Sequence, residues 1–136
     1  MRVILDSNIL FSALIKDSTI RKIILEYDEY FLFPSYIFEE FKKHKEEIIE
    51  KSRLTKEDFE KLVQVILKKV EIVPNDIINK HKTKALEIAK EIDDLNDTLF
   101  IACALAYDGV IWSNDKDFKR QSKIKILNTK EIIGLL

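Results

Sequence analysis

Residues 96–118 read NDTLFIACALAYDGVIWSNDKDF, and this stretch decides how the rest of the chain folds. From Leu99 to Ala106 it is apolar on every side, with small residues set among large ones. Such a run predicts a helix from Asp97 to Tyr107, buried on most sides and packed close to a sheet. A β-type run, Val110-Ile111-Trp112, follows at once and is closed by the acidic SNDKDF. A buried helix feeding a buried strand is the unit from which parallel α/β sheets are built.

Outward from it, the pattern repeats. Short β-type runs at Arg2–Leu5, Tyr30–Phe33, Val70–Val73 and Ile124–Leu127 alternate with longer helical segments. The clearest helix runs from Thr55 to Val70. Phe59, Leu62, Val63, Ile66, Leu67 and Val70 make one stripe along it, and Thr55 is its N-cap. A second helix begins after Pro34-Ser35 and runs through Glu39 to Lys51. From Asn75 to Ile92 the chain must return to the edge where the strands end, which a break near Lys82–Thr83 would allow. The expected fold is a three-layer α/β/α arrangement around a central, mostly parallel sheet of about five short strands, with right-handed connections.

Composition narrows the class. A chain of 136 residues, 46% of them apolar, is expected to form one domain over 1–136 with its own core. No apolar stretch is long enough to span a bilayer, and the start has neither a basic n-region nor a small-residue cleavage site. Cys103 is the single cysteine, so an internal disulfide and a cysteine zinc cluster are excluded. The expected compartment is the cytoplasm. Net charge is −1, which is low for a protein that holds nucleic acid by neutralising its backbone. A nucleic-acid function would need a local basic patch or a bridging cation.

The acids carry the chemistry. In an open parallel sheet, ligands bind beyond the carboxyl ends of the strands. Asp6 follows the first strand, Asp115 and Asp117 follow the strand at Val110–Trp112, and Asp97 opens the buried helix. Glu39 and Glu40 come early in the helix after the second strand. Each acid also has a plain reading. Asp6 and Asp97 stand where helix caps stand, Asp93 and Asp94 look like turn acids, and FEEFKKHKEE is mostly a solvated face. Together, converging carboxylates would repel one another, and so share protons or recruit a hard cation such as Mg²⁺ or Mn²⁺.

These residues resemble the PIN domain, a family of metal-dependent nucleases, over essentially the whole chain. LDSN at 5–8 is similar to the family's first strand followed by Asp, a small hydroxyl residue and Asn. FEEFKK is similar to its second acidic position and favours Glu40 over Glu39. The stretch from Asp97 to Phe118 is similar to its third Asp, small-residue helix, short strand and Ser/Thr before Asp-x-Asp-Phe. The resemblance implies Asp6, Glu40, Asp97 and Asp115 as catalytic metal ligands, Asp117 as an outer helper in the metal set, and Ser7, Asn8 and Ser113 as residues that orient them. It implies a Mg²⁺- or Mn²⁺-dependent endoribonuclease acting on single-stranded RNA, in which metal-activated water leaves 5′-phosphate and 3′-hydroxyl ends. Many small members are VapC-type toxins, blocked by an antitoxin protein and usually homodimeric; the length of this chain fits that branch.

Other readings stay open at this point. Dehalogenase-type phosphatases want Asp-x-Asp where this chain has Asp6 and Asn8, and a receiver domain wants a well-placed Asp near VEIVPND. Two glycines leave no phosphate-binding Gly-rich turn. His44, His81 and Cys103 read as packing or surface residues. A PIN-like module that binds RNA or protein without cleaving is the alternative from another class. Tyr27, Tyr30, Tyr36 and Trp112 are candidates for stacking on bases, or for the core. Ile20, Ile23, Ile24 and Tyr27 form a helical stripe that suits a partner or the core equally.

Overall fold

A computed structural model describes residues 1–92 and 97–136. The strands are β1 (Arg2–Leu5), β2 (Tyr30–Pro34), β3 (Val70–Val73), β4 (Val110–Trp112) and β5 (Ile126–Leu127). They form one sheet in the order β3-β2-β1-β4-β5. Every pairing is parallel, so the mostly parallel sheet expected is wholly parallel. β1 lies at its centre, with Ile4 opposite both Leu32 of β2 and Ile111 of β4. Helices cover both faces, which is why Val3, Ile4 and Leu5 are all buried and the strand reads as an unbroken apolar run.

The helices are α1 (Ser7–Ile15), α2 (Thr19–Glu26), α3 (Phe38–Lys43), α4 (Lys45–Ser52), α5 (Lys56–Lys69), α6 (Asn75–Lys80), α7 (Lys82–Glu91), α8 (Thr98–Tyr107) and α9 (Thr129–Leu135). α1, α2, α4 and α5 pack together as one group, and α6, α7 and α8 as another. α8 lies against β1, β2 and β4, and its residues from Phe100 to Ala104 are buried. Cys103 is among them, and burial pushes its thiol pKa up to about 12, which fits a packing role. In α5 the expected stripe faces inward through Phe59 and Ile66, and Asp58 N–H donates to the cap Thr55 Oγ1 at 3.1 Å. Ile23 and Ile24 turn their part of the α2 stripe to the core, while Tyr27 is exposed.

Two expectations need correction, and a third is met. The helix expected from Glu39 to Lys51 is broken at His44, whose backbone leaves helical geometry (φ −108°, ψ 13°). Between Phe41 and Ile48 every residue is polar, so no apolar side chain draws that turn onto the core. The break expected near Lys82–Thr83 is present, at His81 between α6 and α7. The last strand, expected to start at Ile124, begins its pairing two residues later. The buried Gln121 side chain takes both backbone groups of Ile124, accepting its N–H at 2.8 Å and donating to its carbonyl at 2.8 Å. Asp93 and Asp94 lie outside the described residues.

The strand order has a functional consequence. From β1 the chain moves to β2 on one side and reaches β4 on the other only after two further strands. The gap beyond the ends of β1 and β4 is therefore the topological switch point, where parallel sheets open a crevice.

Candidate active site

Asp6 is held from both of those strand ends. Its backbone N–H continues the ladder to Trp112 C=O at 3.1 Å. Its Oδ1 accepts the N–H of Ser7 at 2.8 Å from the N-cap position of α1. Its Oδ2 accepts a hydrogen bond from Ser113 Oγ, also at 2.8 Å. The buried Ser113 follows β4 and is fixed in turn, its N–H donating to Leu127 C=O at 3.0 Å. Ser113 Oγ also accepts the N–H of Asp115 at 3.0 Å, and Asp115 Oδ1 accepts that of Asp117 at 3.0 Å. Asp6 thus sits at a cap position and is also tied across the sheet to the loop after β4.

Beside this network lies a cleft of about 530 Å³, lined by the carboxylates of Asp6, Glu40, Asp97 and Asp115. Four segments distant in sequence supply one acid each. Asp6 and Asp97 are each 8% exposed and form its inner part, whereas Glu40 and Asp115 are exposed at its mouth. Asp97 occupies the cap position of α8 without making a capping hydrogen bond. Glu39 does not line the cleft; Glu40 does, with the exposed His44 imidazole 3.9 Å from its Oε2. Asp117 stands outside and reaches the site through its backbone N–H alone. Ser7 and Asn8 line the cleft, and Phe11, Leu99 and Phe100 give it apolar walls.

The donor set suits a hard cation. Among the described lining residues there is no Lys, Arg or His to neutralise the carboxylates. Oxygen donors facing one cleft with no cationic side chain among them are the ligands that a hard divalent cation takes. No three His, Cys, Asp or Glu side chains among the described residues are gathered tightly enough to form a ready-made metal site. Mg²⁺ tolerates that looseness, because it keeps several waters and is commonly bound through one or two carboxylates plus a phosphate.

The four aromatics singled out by the sequence separate clearly. Trp112 is fully buried, its Nε1–H donating to Thr129 Oγ1 at 3.0 Å. Tyr30 is exposed at the opposite edge of the sheet, where the strands begin, and bonds Glu71. Tyr36 alone of the four lines the cleft, and it is 59% exposed. Asn114 is a residue that sequence reasoning misses. Its Oδ1 accepts both Thr129 N–H at 2.9 Å and Thr129 Oγ1–H at 3.1 Å, which pins the acidic loop to α9. Only its place between Ser113 and Asp115 hints at this, because the partner is fifteen residues away.

Among curated proteins no sequence matches this chain. Two solved structures are similar in fold. One is a crystal structure of VapBC2 from Rickettsia felis bound to a DNA fragment from their promoter, with 23% identity and a TM-score of 0.63. The other is VapBC-1 from nontypeable Haemophilus influenzae, with 19% identity and a TM-score of 0.64. Each comparison covers 94% of this chain and 98% of the other. The sequence pattern of the PIN domain matches residues 4–132, nearly the whole length, and the chain belongs to the PIN domain family.

Proposed function

We propose that this protein is a divalent-metal-dependent endoribonuclease that hydrolyses phosphodiester bonds of single-stranded RNA. The observation that carries this reading is the convergence of Asp6, Glu40, Asp97 and Asp115 on one cleft at the switch point of the sheet. Bound there, Mg²⁺ or Mn²⁺ would supply Lewis acidity, lowering the pKa of water and screening charge on the phosphate. Asp6 and Asp97, the more buried acids, and Glu40 and Asp115, the exposed ones, are the residues that would hold the ion. Ser113 fixes the orientation of Asp6 and, through the N–H of Asp115, the path of the loop after β4. Asp117 acts as an outer helper by holding Asp115. Tyr36 offers an exposed ring for a base to stack on. Hydrolysis would join the water oxygen to phosphorus, break the bond from phosphorus to the 3′ oxygen and pass the water's proton to that oxygen, leaving 5′-phosphate and 3′-hydroxyl ends.

The fold shared with chains of VapBC structures supports the toxin branch of the family. In that reading residues 1–136 form one domain, a protein antitoxin blocks the cleft, and the toxin pairs as a homodimer in the cytoplasm. No helix among the described residues is long and apolar enough to cross a membrane. A second reading is an RNA-binding module that does not cleave, for which the exposed Tyr36 ring at the cleft would serve equally well.

Incubation with labelled single-stranded RNA and Mn²⁺, beside EDTA and Asp6→Asn controls, separates the two. Cleavage lost in both controls supports the ribonuclease. RNA binding without cleavage, in the presence of either ion, supports the module.

A further inference from the structure

The net charge of −1 conceals a local excess. Residues 116–130 hold six cations, Lys116, Lys119, Arg120, Lys123, Lys125 and Lys130, against one acid, Asp117. All six are exposed. Lys116, Lys119 and Lys130 line a groove of about 580 Å³ together with Asn114, Asp115 and Asn128. Lys119 is engaged by Glu131, holding that carboxyl below the usual range. Among the described residues Lys116 and Lys130 have no ion-pair partner.

The asparagines complete the lining with donors. Asn114 Oδ1 accepts from Thr129, and Asn128 Oδ1 accepts Glu131 N–H at 2.8 Å. Because backbone N–H groups occupy both carbonyl oxygens, each side-chain NH₂ is left as a donor, the group a phosphate oxygen needs.

The groove is continuous with the acidic cleft. A hollow of about 230 Å³ shares Asp6, Asn8 and Asp115 with the cleft, and Asn114 and Asp115 with the groove. A strand lying along these depressions would pass from Tyr36, over the carboxylates, to the lysines. The carboxylates repel a polyanion, so cations placed just beyond them would offset that repulsion where the strand leaves the cleft.

We propose that the groove of Lys116, Lys130, Asn114 and Asn128 carries the phosphodiester backbone of single-stranded RNA on one side of the scissile bond. The inference rests on the ribonuclease reading above.

The test measures binding of a short labelled single-stranded RNA against salt concentration, in an Asp6→Asn background with Mg²⁺ so that the probe stays intact. Lys116→Ala/Lys130→Ala should lower affinity several-fold. It should also flatten the slope of log affinity against log salt by about 1.4, since each phosphate contact on a single strand contributes about 0.7. Lys68→Ala/Lys69→Ala, which removes the same charge from the last turn of α5 beside the start of β3, should change neither quantity. If the groove variant keeps the parental affinity and slope while the unmodified protein still cleaves RNA, the groove is refuted and the ribonuclease reading stands. Loss of affinity without flattening also overturns the groove, because it marks general damage rather than lost phosphate contacts. Unmodified protein that neither binds nor cleaves RNA removes both readings.

Discussion

Ser113 Oγ donates to Asp6 Oδ2 at 2.8 Å, joining the loops after β1 and β4 across 107 residues of sequence. The hydroxyl is buried and has a second duty, accepting the N–H of Asp115. Replacing it removes the clasp between an inner and an outer carboxylate of the cleft. Ser113→Ala should cost about 1–3 kcal/mol in stability, the usual penalty when a buried polar group loses its partner. It should also weaken Mn²⁺ binding by roughly 10–100-fold, as loss of an orienting hydrogen bond does at metal sites. Chemical denaturation and a Mn²⁺ titration of the same preparation read the two effects separately.

Neighbouring acids provide an internal control. Glu40 lines the cleft and Glu39 does not; Asp115 lines it and Asp117 does not. Glu40→Gln and Asp115→Asn should abolish RNA cleavage while leaving the fold intact. Glu39→Gln should cleave like the parent, and Asp117→Asn should retain most of its rate, because only the backbone N–H of Asp117 is used. Initial rates of cleavage at saturating Mn²⁺ distinguish the members of each pair.

Tyr36 provides a test that leaves the acids untouched. Its ring is exposed at the cleft, so removing it should leave the melting temperature nearly unchanged. Tyr36→Ala should weaken RNA binding by about tenfold, within the range of about 1–3 kcal/mol per stacked base. Tyr36→Phe keeps the ring and should bind like the parent. Equal affinities for the two variants would remove stacking from the account of the site.

The two glycines should respond in opposite senses. A Cβ on Gly109 would stand 2.6 Å from Ile4 Cδ1 and 2.9 Å from the Arg2 carbonyl oxygen, and that backbone atom cannot yield. Gly109→Ala should therefore destabilise the protein by about 1–3 kcal/mol through overpacking. Gly134 lies inside α9, and a Cβ added there would meet no atom within 4 Å. Gly134→Ala should stabilise by about 0.5–1 kcal/mol through helix propensity. Thermal unfolding of both variants settles the signs.

What the sequence made legible follows from the range over which each signal acts. Strands and helices were readable where apolar periodicity was strong: β1, β3, β4, α5 and α8 lie where the pattern placed them. The all-round apolarity of α8 announced its burial under the sheet. The acids could be ranked as a set because all of them follow strands or open helices, and parallel topology carries those positions to one edge. What stayed hidden depends on long-range side-chain partners. Gln121 folding back on Ile124 shortened β5, and Asn114 reaching Thr129 fixed the acidic loop. Neither polar residue departs from ordinary loop composition, so neither could signal its partner. The helix break at His44 stayed hidden for a simpler reason: a run of charged residues supports a solvated helix and a solvated turn equally well.

The most direct test of the metal site is a calorimetric titration of Mn²⁺ into the protein and into its Asp6→Asn variant, without RNA. The expected result is saturable binding to the parent and its loss, or a severe weakening, in Asp6→Asn, with the variant still folded. Absence of binding to the parent, or equal binding to both proteins, would contradict the assignment of Asp6 as a metal ligand.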